Sequence, residues 1–582
     1  MKSNSLIIGI LLLTFCGLFS CSPIAKQKTD TSRIIANPLN LNYRFQPEEP
    51  SRREAADPVL EYFKGKYYLF ASKSGGYWSS PDLVDWTYIP CKTILEMENY
   101  APSILVKGDT LYFIASGSNI YKTNNPDTDN WEQISIDYKH LGDSRDPYHD
   151  PAFFLDDDGR LYFYWGCSDR FPIEGIELDP DNNFTTIGDP VVLITHNQHK
   201  YGWEVRGKNN DSDKPGYNEG PCMIKYKGKY YLHYAAPGTE FRNYGDGMYI
   251  SDNPLGPYTY VENSPFSFKP GGFIGGAGHG HTFKDKYGNY WHVATMTISV
   301  RHMFERRIGL FPTYMSKNDE MHAHTVLTDY PFYIPDKKVD MEKNDLSTGW
   351  NMLSYKKKVS ASSALPDYKA AYANDEQVET WWSAETGNAG EWLQTDLGKT
   401  MDVNAIQVNF ADHDFTNKAE DSYVYYQFKV EASNDGNSWE VIVDQTQNKE
   451  DAPHELFILE NPIETRFLRI TNTKDLQGKF SLYGFRIFGH GKGELPSVVT
   501  NFTIDRNPED RRMMNFSWAA QENASGYIIR WGTNKDYMKN EMMIYDNQCE
   551  LRYFNRDSEY YFTIDSFNEN GRVQGKQIIH IK

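Results

Sequence analysis

Three acidic residues recur at matching places along the chain. Asp57 precedes Pro58, Asp150 precedes Pro151, and Glu219 stands just before Gly220-Pro221. Each lies eight or nine residues upstream of a hairpin glycine, namely Gly65, Gly159 and Gly228. Ala101 and His279 take the same place ahead of Gly108 and Gly288. A single Asp-Pro is ordinary turn chemistry. Three acids in register are harder to explain as solvated surface. Opposed carboxyl groups are what cleavage of a glycosidic bond requires. One holds a proton for the leaving oxygen, and the other works ionised as base or nucleophile. A neighbouring carboxylate helps the acid keep its proton by like-charge repulsion. A third acid therefore has a physical role.

The elements that must position these residues are legible as a repeat. Each segment has a short strand, a turn with glycine, and an aromatic-rich strand such as Lys66-Tyr67-Tyr68-Leu69-Phe70. Lys64-Gly65 and Asp158-Gly159 are hairpin chemistry, because glycine accepts positive φ. Successive glycines are 43, 51, 69 and 60 residues apart. A four-stranded propeller blade needs about 40–50 residues plus loop insertions. Five units predict a five-bladed β-propeller over residues 41–340. The strand that opens each blade lines the central channel, so the five starts should converge at one mouth.

Composition agrees with an all-β chain. The 582 residues include 86 aromatics, and aromatic side chains favour pleated, half-buried surfaces. The net charge of −19 argues against nucleic acid or anionic lipid as partner, since both need a basic footprint. A neutral ligand such as a carbohydrate is compatible with it. Lys2 and the apolar run 6–19 read as a secretory signal over residues 1–20, too short to span a bilayer. The end of that run, Leu18-Phe19-Ser20-Cys21, resembles a bacterial lipoprotein signal. The resemblance implies lipid on Cys21, a tether over residues 21–40, and export to the periplasmic or surface side of the outer membrane. That lipid would be the only membrane link. Cys91, Cys167, Cys222 and Cys549 lack metal-ligand spacing and read as free thiols.

The residues Ala56-Asp57-Pro58, His149-Asp150-Pro151, Glu219-Gly220-Pro221 and Gly278-His279-Gly280-His281 together resemble glycoside hydrolase family 43. The resemblance implies an inverting mechanism that needs no cofactor for its chemistry. Asp57 would be the general base, Glu219 the general acid, and Asp150 the residue that tunes and orients the acid. His279 would help hold a central water or Ca²⁺, with His281 as an extra candidate. Arg145-Asp146-Pro147 looks like the Arg-Asp-Pro motif of invertase-type retaining hydrolases, but the repeat register favours Asp150. Tyr77, Trp78 and Trp203 are candidate sugar platforms, and Arg306 is a candidate substrate contact. Trp203 lies in a long insertion before the acid. Glu204 beside it is a rival acid, off the repeat register. Ser433-Asn434-Asp435-Gly436 resembles a sialidase Asp-box and reads as a structural hairpin.

Residues 345–490 resemble a discoidin (coagulation factor type C) jelly roll, in which Asn374-Asp375 matches a structural Ca²⁺ loop. Residues 497–582 resemble a fibronectin type III sandwich, with Trp518 as core anchor and Tyr560-Tyr561 at a tyrosine corner. The expectation is a monomeric exo-glycosidase acting on terminal furanoside or pentose units of plant or microbial saccharides. It would resemble an α-L-arabinofuranosidase or β-xylosidase. A β-D-galactofuranosidase of the same fold and a non-catalytic carbohydrate binder are the alternatives.

Overall fold

The structure, a computed structural model, describes residues 31–94, 99–138, 141–143, 146–415 and 424–582. The signal segment, Cys21 and Arg145 lie outside the described residues, as does the tether up to residue 30. Among the described residues helical structure is limited to three 3-10 segments, Thr31–Arg33, Gly202–Glu204 and Ala370–Asn374. No helix there is long and apolar enough to cross a membrane.

Five antiparallel sheets follow one another along the first part of the chain, each built on four strands. The first holds Ala56–Phe63, Lys66–Ser72, Gly76–Ser80 and Thr87–Pro90. The second holds Ser103–Lys107, Thr110–Ile114, Ile120–Thr123 and Glu132–Ile134. The third holds Ala152–Leu155, Leu161–Trp165, Ile173–Asp179 and Thr185–Ile194. The fourth holds Asn218–Tyr226, Lys229–Ala236, Gly245–Ser251 and Thr259–Tyr260, with Cys167–Ser168 added at its inner edge and Ser267–Phe268 paired to its third strand. The fifth holds Gly275–Lys284, Tyr290–Thr297, Arg306–Met315 and Met321–Ala323. The opening strand of each sheet touches that of the next, and the fifth returns to the first, so the cycle closes.

The recurring aromatics lie between the sheets. Phe70, Tyr77, Phe113 and Trp131 fill the space between the first and second sheets, with Phe70 and Tyr77 stacked at 4.4 Å. Trp78, Tyr67, Phe283 and Trp291 do the same between the fifth and the first. Each such burial contributes about 1.5–3 kcal/mol. This corrects the expectation for Tyr77 and Trp78. They are 0% and 1% exposed, so neither can meet a sugar.

The next unit is an eight-stranded sheet whose long strands are Trp392–Phe410, His454–Asn472 and Ser481–His490. Its Ser433–Ser438 turn is closed by Asp435, which accepts the N–H groups of Asn437 and Ser438 at 2.8 Å each. The last unit stacks a three-stranded sheet on a five-stranded one. Trp518, Trp531, Phe554 and Phe562 form its core. The Tyr560 hydroxyl accepts the Asn555 N–H at 2.9 Å. The second unit is keyed to the first by buried charge. Arg53 pairs with Asp412 and Asp451, each at 2.8 Å. Arg486, held by Glu376 of its own unit at 2.8 Å, donates to the Asp329 carbonyl of the first.

Candidate active site

The opening strands of the cycle begin on irregular backbone. Asp57 and Pro58 fall between the pairs Ala56–Ser72 and Val59–Phe70, outside the ladder. Gly220 and Pro221 fall between Glu219–Ala235 and Cys222–His233. His279 and Gly280 fall between Gly278–Thr295 and His281–Val293. The equivalent residues are left-handed throughout. Their φ values are 49° for Asp57, 52° for Ala101, 51° for Asp150, 59° for Gly220 and 46° for His279.

Glu219 is therefore one residue ahead of the position that the sequence register assigned to it. It stands level with Ala56 and Gly278, and Gly220 holds the place of Asp57 and Asp150. The reason is steric. A Cβ on Gly220 would come within 2.7 Å of the His279 ring, so the fourth segment gives up that side chain. The acid comes from the residue before it.

Side chains of neighbouring sheets fix this backbone. Thr295 Oγ1 accepts the Asp57 N–H at 2.8 Å, Ser72 Oγ accepts that of Ala101 at 2.7 Å, and Ser116 Oγ accepts that of Asp150 at 3.0 Å. Asp150 Oδ2 accepts the Gly220 N–H at 3.2 Å. Asp246 accepts the N–H groups of His279 and Gly280 at 2.7 and 3.0 Å. Left-handed backbone at non-glycine residues is strained and persists where its surroundings over-determine it.

The carboxyl groups sit in different fields. Asp57 Oδ2 accepts the Ser72 hydroxyl at 2.6 Å, and its Oδ1 accepts from Arg306 Nη1 at 3.1 Å. Burial alone would raise this carboxyl, but Arg306 and then His279 outweigh it and hold it below the usual range. Glu219 has no guanidinium beside it. Burial and then Asp150 push it up to about 7, against His279 and the donors Tyr244 and Cys167. Asp150 is itself raised, first by burial and also by Asp57. His279 Nδ1 lies 3.5 Å from Asp57 and 3.7 Å from Asp150. Burial disfavours its proton, yet Asp57, Asp150 and Glu219 together raise its affinity.

Asp57, Asp150, Glu219 and His279 thus meet at one place. Arg306 joins them as the buried partner of Asp57, with Nη2 also on Glu54 at 2.7 Å. It is 2% exposed, which corrects its reading as a sugar contact. Trp203 is corrected too. It is fully buried, packed on Tyr234, with its indole N–H on the Tyr260 hydroxyl at 2.9 Å. Glu204 is buried beside it and accepts from the Tyr234 hydroxyl and the Asn197 N–H, away from the other acids. His281 faces Glu61 at 3.6 Å. The sequence reading missed Ser72, Thr295, Tyr244 and Cys167, and also the half-buried pair Tyr100 and Phe304. Those two rings lie 5.6 Å apart, and Phe304 covers the Arg306 guanidinium at 4.8 Å. Ser72 and Thr295 share a repeat position, which was a usable signal.

The expected metal roles meet a poor fit. Calcium takes oxygen ligands. His279 offers a nitrogen, its Nδ1 turned to Asp57 at 3.5 Å and Asp150 at 3.7 Å. In the second unit Asp375 accepts the Gln377 N–H at 3.0 Å and the Thr380 hydroxyl at 2.7 Å, so its carboxylate closes its own turn. Asn374 Nδ2 donates to the Lys357 carbonyl at 2.8 Å.

Comparisons with known proteins bear on this site. An arabinoxylan arabinofuranohydrolase of Paenibacillus polymyxa is 26% identical over 366 residues, covering 54% of this chain and 55% of that protein. A beta-D-galactofuranosidase of Aspergillus niger is 25% identical over 266 residues, covering 39% and 68%. A beta-xylosidase of Xylanibacter ruminicola is 30% identical over 129 residues, covering 19% and 39%. The chain thus spans about half the length of the first of these relatives. Residues 51–321 match the family model of glycosyl hydrolases family 43, and residues 358–484 match that of the F5/8 type C domain. The protein therefore carries a family 43 glycosyl hydrolase domain followed by an F5/8 type C domain.

Proposed function

We propose that the protein is an exported glycosidase that removes terminal furanoside or pentose units from saccharides with inversion. The observation that carries this reading is the contrast between two buried carboxyl groups at one site. Glu219 is pushed up to about 7, and Asp57 is held down by Arg306. At neutral pH a large share of Glu219 is protonated and Asp57 is ionised. Glu219 gives its proton to the leaving oxygen. Asp57 takes a proton from the water that attacks the anomeric carbon from the opposite face. Asp150 raises Glu219 by like charge and fixes the backbone beside it through the Gly220 N–H. A silent binder would have no need of carboxyl groups tuned apart.

The closed cycle of five four-stranded sheets supports reading residues 41–340 as a five-bladed propeller. The Trp518 core supports a fibronectin type III-like fold for residues 497–582. Export as a lipoprotein through Cys21 rests on the signal sequence. The relatives include an arabinofuranohydrolase, a galactofuranosidase and a xylosidase, so α-L-arabinofuranose, β-D-xylose and β-D-galactofuranose are the sugars to test.

The test is a panel of aryl glycosides of these sugars with wild type, Asp57→Asn and Glu219→Gln. Each variant should lose at least about a hundredfold. Proton NMR of the first-formed sugar should show the inverted anomer. A retained anomer would make Asp57 a nucleophile and sink the mechanism. Wild-type inactivity on the whole panel would sink the substrate class.

A further inference from the structure

Cys167 carries no spacing signal, yet it stands against the acid. In the first, second and fifth sheets, the residue level with the start of the opening strand bears a hydroxyl. These are Ser72, Ser116 and Thr295, and each accepts the backbone N–H of the next sheet in the cycle. In the third sheet that place is Gly166, whose N–H pairs with the His149 carbonyl at 2.9 Å. Its φ is 152°, and a Cβ there would meet the Ile173 Cα at 2.9 Å. The third sheet's second strand ends at Trp165, and the chain leaves that sheet at Gly166. Cys167 and Ser168 then pair with Glu219 and Asn218 of the fourth sheet. Cys167 Sγ donates to Glu219 Oε2 at 3.1 Å, and the Tyr244 hydroxyl donates to Oε1. One donor-set atom each of Asp150, Cys167 and Glu219 lies within 4.8 Å of the others.

We propose that Cys167 is a positioning residue for the general acid, its thiol fixing Glu219 Oε2 as the proton-bearing oxygen. The proposal rests on the reading of Glu219 as the acid. A thiol suits the task because S–H is a weak donor and sulfur a weak acceptor. It can orient an ionised carboxylate and then rotate to receive the proton-bearing oxygen. A hydroxyl in its place would stabilise the anion more and hold back the proton. Burial, Asp150 and Glu219 keep the thiol itself well above the usual thiol range, so it retains its hydrogen.

The test uses the full chain and the aryl glycoside of the panel that wild type cleaves fastest. Cys167→Ser should move the basic limb of kcat/KM to lower pH. Cys167→Ala should move it to higher pH and lower kcat about 2–10-fold, the scale of one hydrogen bond. The loss should shrink with a dinitrophenyl leaving group, which needs little protonation. A role in packing alone would not give opposite shifts. An activity-free readout is the infrared S–H stretch, assigned by its loss in Cys167→Ala. It should shift in Glu219→Gln. Unmoved limbs in both variants, or a band indifferent to Glu219→Gln, would overturn the proposal. A fully active Glu219→Gln enzyme would overturn the acid reading and this proposal with it. A disabled Glu219→Gln enzyme beside indifferent Cys167 variants would overturn this proposal alone.

Discussion

Arg306 separates the two carboxyl groups that the chemistry must keep apart. Its guanidinium reaches Asp57 and Glu54 at once, buried under Phe304. It is the largest influence that lowers Asp57, second only to the opposing effect of burial. Removing it should raise Asp57, so the base becomes protonated at higher pH. Arg306→Gln should therefore move the acid limb of kcat/KM up by about one pH unit. Arg306→Lys should restore part of the shift, because it keeps the charge and loses the fork. A pH–rate profile for both variants checks this. An unmoved acid limb in Arg306→Gln would mean that Asp57 is not the titrating base. Arg306 was legible as a site residue but not in its role. Its partner Glu54 lies 252 residues away in sequence, and no local pattern announces a buried ion pair. Glu219 was legible as an acid and misplaced by one step, because counting from hairpin glycines cannot see a backbone bulge.

The loop between the second and third strands of the fifth sheet joins the site to the F5/8 type C domain. It runs from Ile298 to Glu305 and closes on the backbone bond from the Ile298 N–H to the Glu305 carbonyl at 3.0 Å. Phe304 faces Arg306 and Tyr100 at one side of it. On the other side Arg301 lies over the Trp381 ring at 5.3 Å and donates to the Tyr483 hydroxyl at 3.0 Å. That hydroxyl in turn donates to Glu305 at 3.0 Å. The second domain thus holds the loop whose aromatic covers Arg306, the partner of the base. Tyr483→Phe removes both bonds while keeping the ring. It should raise KM about 2–10-fold at nearly constant kcat, as loosened binding does. Steady-state kinetics check it, and an unchanged KM would mean that the loop stands without the domain. The hairpins and aromatic strands were legible because turn chemistry and period-two pattern are local. The loop's role was not, since Trp381 and Tyr483 become its neighbours only through domain docking. Tyr77 and Trp78 misled for the same reason, since burial between sheets is a tertiary fact.

At the scale of the whole chain, the C-terminal sandwich reaches the acid through the insertion that precedes it. Tyr201 bridges Asn555, the Gly202 N–H donates to the Phe554 carbonyl at 3.1 Å, and the Arg556 N–H donates to the Lys200 carbonyl at 2.8 Å. Trp203 and Glu204 pack beneath this seam against Tyr234. Asn210 then ties the next turn back, donating to the Val205 carbonyl at 2.8 Å and the Trp203 carbonyl at 3.1 Å. The segment ends with Tyr217, whose N–H meets the Pro237 carbonyl at 2.7 Å, two residues before Glu219. A continuous set of contacts therefore runs from residue 555 to the acid. Removing residues 497–582 should cost activity as well as stability, even though no sandwich residue reaches the carboxyl groups. Gly202→Val tests the seam inside the full chain. Its Cβ would sit 2.3 Å from the Arg552 carbonyl oxygen, a backbone atom that cannot step aside. The variant should lower kcat/KM at least about tenfold and expose the 196–217 segment to limited proteolysis, while the first sheet stays protected in hydrogen exchange. A truncated chain with wild-type kcat/KM, or a Gly202→Val enzyme with unaltered protection, would show that the sandwich only rides on the propeller-like body.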